Sequence, residues 1–169
     1  MGFADLQAFL DRGGPVLLVI MLATFFMWGL ILERVFYFRF AHKQVAADAI
    51  AEWRSRSDRK STFAHWIRDK LVSEVRMKAE QNVQLTKAMV ALAPLLGLLG
   101  TVTGMVAVFD IMAITSGADA KAMSAGVSRA TIPTMAGMVA SLSGILFTSG
   151  MDRRVNRSVQ QVEDAMEIS

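Results

Sequence analysis

Three stretches of the chain, residues 13–32, 88–109 and 130–151, contain no Asp, Glu, Lys, Arg or His, and the charged residues crowd into the segments between and around them. At 1.5 Å of rise per residue, roughly 20 helical residues cross a hydrocarbon core of about 30 Å. The pattern therefore predicts three membrane-spanning helices. Between the first two, apolar residues return at helical spacing, first at Val45, Ala46, Ile50 and Trp53, then at Phe63, Trp66, Ile67, Leu71 and Val75. The polar run Ser55–Ser61 (SRSDRKS) separates the two sets, and Ser61 or Thr62 is placed to cap the second. From that cap no Gly or Pro follows until Pro94, which predicts one helix from about Thr62 through the second span. The third span continues through Val155, Val159, Val162 and Met166. The expected fold class is all-α: a polytopic membrane protein of three transmembrane helices, the second and third extended beyond the bilayer as a helical bundle. The amphipathic stretches also fit a placement flat on the membrane surface.

Charge sets the expected topology. Charged residues make up 20% of the chain, yet the spans hold none, so the sign of each connecting segment becomes an orientation signal. Residues 33–87 form the basic segment, with 12 Lys and Arg against 6 Asp and Glu in residues 34–87. Arg153, Arg154 and Arg157 follow the third span. The 110–129 connection, which includes the start of the third helix, carries Lys121 and Arg129 against Asp110 and Asp119. The excess of basic residues places residues 33–87 and 152–169 in the cytoplasm, and residues 1–12 and 110–129 on the outer side, the periplasm if the membrane is a bacterial inner membrane. The leader before the first span holds two Asp and one Arg, and no small-x-small site follows the span, so cleavage as a signal peptide is not expected. Acids interleave with the bases of the 34–87 segment and no recognition motif accompanies them, so a nucleic-acid partner is not expected either.

The composition of the second and third spans is unusual for plain anchors. Small residues allow helices to approach closely, and Gly97, Gly100 and Gly104 in the second span and Gly137 and Gly144 in the third supply them. Gly100-x-x-x-Gly104 and Ala136-x-x-x-Ala140-x-x-x-Gly144 are close-packing spacings. Thr134, Ser141 and Thr148 recur every seven residues, with Thr131 a turn earlier, so these hydroxyls share one stripe of the helix. Thr101 and Thr103 sit near the middle of the second span. Such hydroxyls either bond back to their own helix or line a polar path, and the seven-residue period favours a pore-lining role for Thr134, Ser141 and Thr148. Pro94 and Pro133 are the candidate kink positions. Asp110 and Arg129 close and open the apolar runs at one depth, which suggests a charged pair at the pore mouth or two independent interfacial charges.

No carboxylate or His lies within a span, so any protonatable group on a conduction path must come from a partner. The chain has no Cys, and its two His, His42 and His65, lie outside the spans, which removes disulfide, thiolate and Cys-metal chemistry. There is no P-loop and no nucleophile–base pair. Neither an enzyme nor a cofactor or metal site is expected.

The string Leu95-Leu96-Gly97-Leu98-Leu99-Gly100-Thr101-Val102-Thr103-Gly104-Met105 resembles the signature of the ExbB/TolQ/MotA proton-channel family, ExbB most of all. Gly126-Val127-Ser128-Arg129-Ala130, with Thr134-x-x-Gly137 and Val139-Ala140 after it, is similar to the start of the family's third span. Glu33-Arg34 resembles its Glu-Arg pair at the exit of the first span. The resemblance implies a compact ExbB subtype. It implies a homo-oligomer, a pentameric ring in the bacterial inner membrane around a single-span ExbD-type subunit, which carries the titrating Asp. That motor would use the proton gradient to energise a TonB-like protein. A TolQ-like role in envelope maintenance is the alternative, and a non-conducting scaffold a more distant one. By position, Thr101 and Thr134 match the family's pore-facing threonines, whereas Arg129 departs from the acid often found there.

Overall fold

The structure, a computed structural model, describes residues 3–114 and 120–166. Its elements are α1 (Phe3–Phe36), a π-helical turn (Tyr37–Ala41), α2 (His42–Arg54), α3 (Thr62–Glu80), α4 (Val83–Ile114) and α5 (Ala120–Ala165), with no strand among the described residues. Three helical stretches, Gly13–Arg54, Thr62–Ile114 and Met123–Ala165, are long and apolar enough to cross a membrane. The fold is the all-α, three-span class that the charge-free runs predict. α1 bends at Gly14, whose φ of 68° only a residue without a Cβ adopts cheaply, and Pro15 starts the apolar helix behind it.

The chain divides into two units, Met1–Trp28 with Lys87–Ile145, and Gly29–Thr86 with Leu146–Ser169. In the first, Leu17, Ile20 and Met27 of α1, Val90, Ala93 and Val108 of α4, and Ala130 and Ala140 of α5 are buried. The glycines explain how α4 and α5 come so close. A Cβ on Gly104 would lie 2.7 Å from the Cα of Ala130, and one on Gly97 would lie 2.9 Å from the Cα of Thr134. A Cβ on Gly100 would collide with Pro133, and one on Gly144 would lie 2.9 Å from the sulfur of Met27. The helix that approaches the Gly100–Gly104 pair is thus α5 of the same chain. The opposite faces stay apolar and open, with Phe25 82% exposed and Leu95, Leu98, Val102 and Phe109 each more than half exposed, as a surface in contact with lipid or another subunit requires.

The second unit is a helical bundle with two apolar clusters. Ala49 and Trp53 of α2, Ala64, Leu71 and Val75 of α3, and Val162 and Met166 at the end of α5 form one; Ala79, Val83, Val155 and Val159 form the other. The α2–α3 turn is fixed by Asp58, which accepts from the backbone of Lys60 and Ser61, while the Ser61 hydroxyl accepts from the Ala64 N–H and caps α3. The Ser61 hydroxyl and these amides hold the Asp58 carboxyl below its usual range. Arg68 closes the far end of α5 by donating to the carbonyls of Met166 (2.8 Å) and Glu163 (2.9 Å).

The expected single helix from Thr62 into the second span is two helices. Asn82 takes a φ of 61°, a left-handed conformation that Asn tolerates better than most residues, and α3 ends there. The carbonyls of Lys78 and Ala79 lose their helical donors and are met instead by Nη1 of Arg34, at 2.9 and 3.3 Å. Arg34 is 2% exposed. Its Nε and Nη2 hold both oxygens of Glu33 at 2.9 and 2.7 Å, its guanidinium stacks 4.5 Å over the Tyr37 ring, and Asn82 Nδ2 donates to Glu33 at 3.2 Å. The only hint in the sequence is one Asn at the break, which hydrophobic periodicity cannot register.

Three stability outcomes follow. Gly104→Leu should lower the unfolding midpoint of the detergent-solubilised protein, since overpacking costs about 1–3 kcal/mol and here the obstacle is backbone. Arg34→Met should destabilise through the two stranded carbonyls, at about 1–3 kcal/mol per buried group. Loss of the ion pair adds little, because Glu33 is 46% exposed and stays hydrated. Asn82→Val should cost more than Asn82→Gly by about 1–2 kcal/mol, the strain of a left-handed conformation. Equal midpoints for the two Asn82 variants would refute the strained joint.

Candidate functional site

Thr134 of α5 meets α4 at Gly97, one turn before Thr101. The Thr134 hydroxyl crosses from α5 to donate to the Gly97 carbonyl at 2.9 Å. That carbonyl is also the regular helical acceptor for the Thr101 N–H, four residues on. The reach is possible because Gly97 has no side chain to hold α5 away. The Thr101 hydroxyl donates within its own helix, to Leu98 O at 2.6 Å. Thr103 donates to Leu99 O (2.9 Å) and Gly100 O (3.2 Å), and Thr131 to Ser128 O (3.1 Å). Three bond back to their own helix, and Thr134 ties two helices.

The seven-residue hydroxyl stripe does not form an open face along its length. Ser141 and Thr148 are each 6% exposed, whereas Thr134 is half-buried. The reason is geometric: a seven-residue period is also the packing period of a helix seam, and Gly137, Ala140 and Gly144 share the stripe with Ser141. Pro133 is buried against Gly100, and α4 and α5 run through Pro94 and Pro133, so Pro133 lies well inside its helix. Pro94 leaves the Val90 carbonyl without its helical donor.

Asp110 and Arg129 are not brought together within the chain. Among the described residues no ion pair joins them, and both side chains are exposed. Neither is desolvated enough to force pairing, and an exposed pair contributes only about 0–1 kcal/mol. No group of His, Asp or Glu that could hold a metal is present among the described residues.

The site is thus two helices in backbone contact, one threonine hydroxyl bonded across them at Gly97, and no titratable residue in either charge-free run. Its chemistry is to place polar atoms inside an apolar wall. Residues 33–164 match the model of the MotA/TolQ/ExbB proton channel family. ExbB-like 1 of Synechocystis sp. is 42% identical over 66 residues, a stretch covering 37% of this chain and 26% of that relative. ExbB-like 3 of the same organism is 34% identical over 67 residues, covering 38% of this chain and 32% of that relative. The matching stretch therefore spans less than a third of either relative. The family match, by contrast, runs from the Glu33–Arg34 fork through the threonine seam to the last turn of α5, and the chain belongs to the MotA/TolQ/ExbB proton channel family.

Proposed function

We propose that this chain is the ring-forming subunit of a proton-driven motor in a bacterial inner membrane, working as ExbB does to energise transport across the outer membrane. The observation that carries the reading is the Thr134–Gly97–Thr101 junction: hydroxyls set at membrane depth in a chain whose spans hold no acid or His. Such a wall hydrates and positions a titrating carboxyl without owning one. The carboxyl then comes from a partner, an ExbD-type single-span subunit inside a ring of copies of this chain, pentameric by resemblance, with a TonB-like protein outside. The exposed apolar faces of α1, α4 and α5 supply the surface that copies of the chain and lipid would cover.

Substitution of the two threonines tests the junction. Thr101→Val and Thr134→Val keep the packing volume and remove the hydroxyls. The double variant should abolish proton-driven uptake while it still copurifies with the ExbD-type partner. An interhelical hydrogen bond in a membrane averages only about 0.6 kcal/mol, so loss of activity would not be loss of fold. Full activity in the double variant would reduce the hydroxyls to structural bonds. A growth defect limited to envelope integrity, with uptake intact, would move the assignment to a TolQ-like motor.

Orientation is tested separately. The chain has no Cys, so each introduced thiol is a unique reporter. With the basic 34–87 segment in the cytoplasm, Ser57→Cys should resist an impermeant thiol reagent in intact spheroplasts and Met123→Cys should react. The opposite pattern would invert the topology.

A further inference from the structure

We propose that Phe36, Arg39, Phe40 and Lys43, on the outer face of the helix just past the first span, bind the headgroup of an anionic phospholipid. Residues 34–47 contain no Asp or Glu, and four of the five residues 36–40 are aromatic. Two of those four are accounted for by the protein itself. Tyr37 lies under the Arg34 guanidinium, and Phe38 packs against the cluster of Ala79, Val83, Val155 and Val159. The other two stand in the open. Phe36 is 60% exposed and Phe40 70%, and their rings stack on each other with centroids 6.2 Å apart. Steps of three, four and seven residues from Phe36 put Arg39, Phe40 and Lys43 on its face, and both cations are exposed. Among the described residues no ion pair engages either cation. Of the flanking acids, Glu33 is held by Nε and Nη2 of Arg34, and Asp48 lines a cleft with Glu74 and Lys78 of α3.

Depth and charge together identify what covers the exposed rings. At 1.5 Å per residue, Phe36 lies about 6 Å beyond Leu32, the last residue of the charge-free run. The headgroup layer is roughly 5–7 Å deep on each side of the hydrocarbon core. Phe36 therefore sits in that layer, and Leu32, itself 50% exposed, continues the same ridge into the acyl chains. Helical side chains lean toward the N-terminus of their own helix, and here that direction is the membrane. The Arg39 guanidinium and the Lys43 ammonium thus reach back toward the phosphates, whose oxygens accept from both. A second protein surface would have to bring acids to headgroup depth, where lipid phosphates already stand. Basic residues immediately beyond a membrane helix recognise anionic headgroups in this way. A single membrane-surface cation favours an anionic lipid about fivefold, so two give roughly 25-fold. The geometry is the same whichever side of the membrane the segment occupies, and it is independent of the threonine junction.

The chain has no Cys, so Leu32→Cys can carry a single bimane fluorophore at the membrane end of this face. The full-length protein is reconstituted into phosphatidylcholine bilayers, and a rising fraction of the lipid is replaced by brominated phosphatidylglycerol or, in parallel, by brominated phosphatidylcholine. Quenching reports which lipid stands beside residue 32. Phosphatidylglycerol should be preferred there by about tenfold or more. Arg39→Gln with Lys43→Gln should erase that preference, and Arg39→Lys with Lys43→Arg, which keeps both charges, should preserve it. The charge-conserving variant separates loss of binding from misfolding. The same fluorophore at Phe25→Cys, in the middle of the span where the native ring is 82% exposed, should show no preference. Equal quenching by the two lipids at residue 32, or an undiminished preference after charge removal, would overturn the proposal. So would an equal preference at residue 25, which would make it a property of the bilayer and not of this face. Quenching by neither lipid at residue 32 would also overturn it and would leave the rings to a neighbouring copy of the chain.

Discussion

The approach of α4 to α5 is the constraint on which the membrane part of this protein rests. In lipid there is no hydrophobic gain from pressing two apolar helices together, because the tails are as apolar as the side chains. What remains is dispersion at short range and hydrogen bonds between backbones that can meet. Glycines at 97, 100 and 104 remove the atoms that would otherwise intervene, and Pro133, Ala130 and Thr134 fill the space they leave. The Thr134 bond to Gly97 then exists only because the helices already touch. Packing comes first, and the polar geometry of the site is its product.

A different solution governs the second unit, whose helices carry most of the charged residues and bury two apolar clusters. There the difficulty is a helix that must stop without Gly or Pro. Asn82 bends the backbone, and Arg34 supplies from a distant part of the sequence the donors that the interrupted helix lacks. Glu33 holds the guanidinium flat against Tyr37 and receives Asn82 in return. A buried cation is tolerated because its N–H groups meet a carboxylate and two carbonyls and its flat face meets a π ring.

Much of this could be read from residues alone. Charge-free runs of the right length mark membrane helices because no other environment accepts them so cheaply, and Gly100-x-x-x-Gly104 marks a close approach because few other roles favour that spacing. The sequence could not say that the approaching helix is α5 of the same chain, since spacing describes one partner only. The heptad of Thr134, Ser141 and Thr148 was ambiguous for a related reason: polar lining and tight packing both select small residues at the same period. The Asn82 joint was invisible because it depends on Arg34, 48 positions earlier, and long-range acceptor bookkeeping leaves no local pattern. Asp110 and Arg129 looked paired because they share a depth, but depth does not fix separation around a helix bundle.

The direction of the threonine hydrogen bonds has its own chemical meaning. A hydroxyl has one proton, and in Thr101, Thr103, Thr131 and Thr134 that proton is already committed to a carbonyl. What these side chains can offer to anything that arrives is lone pairs. A surface of lone pairs welcomes species that bring protons, such as water, hydronium or a carboxylic acid in its neutral form. It gives nothing to a bare carboxylate, which would need donors to replace its lost hydration. A partner acid passing this seam would therefore be favoured protonated and disfavoured ionised. That preference would follow only from the polarity of bonds that hold the chain's own helices in shape.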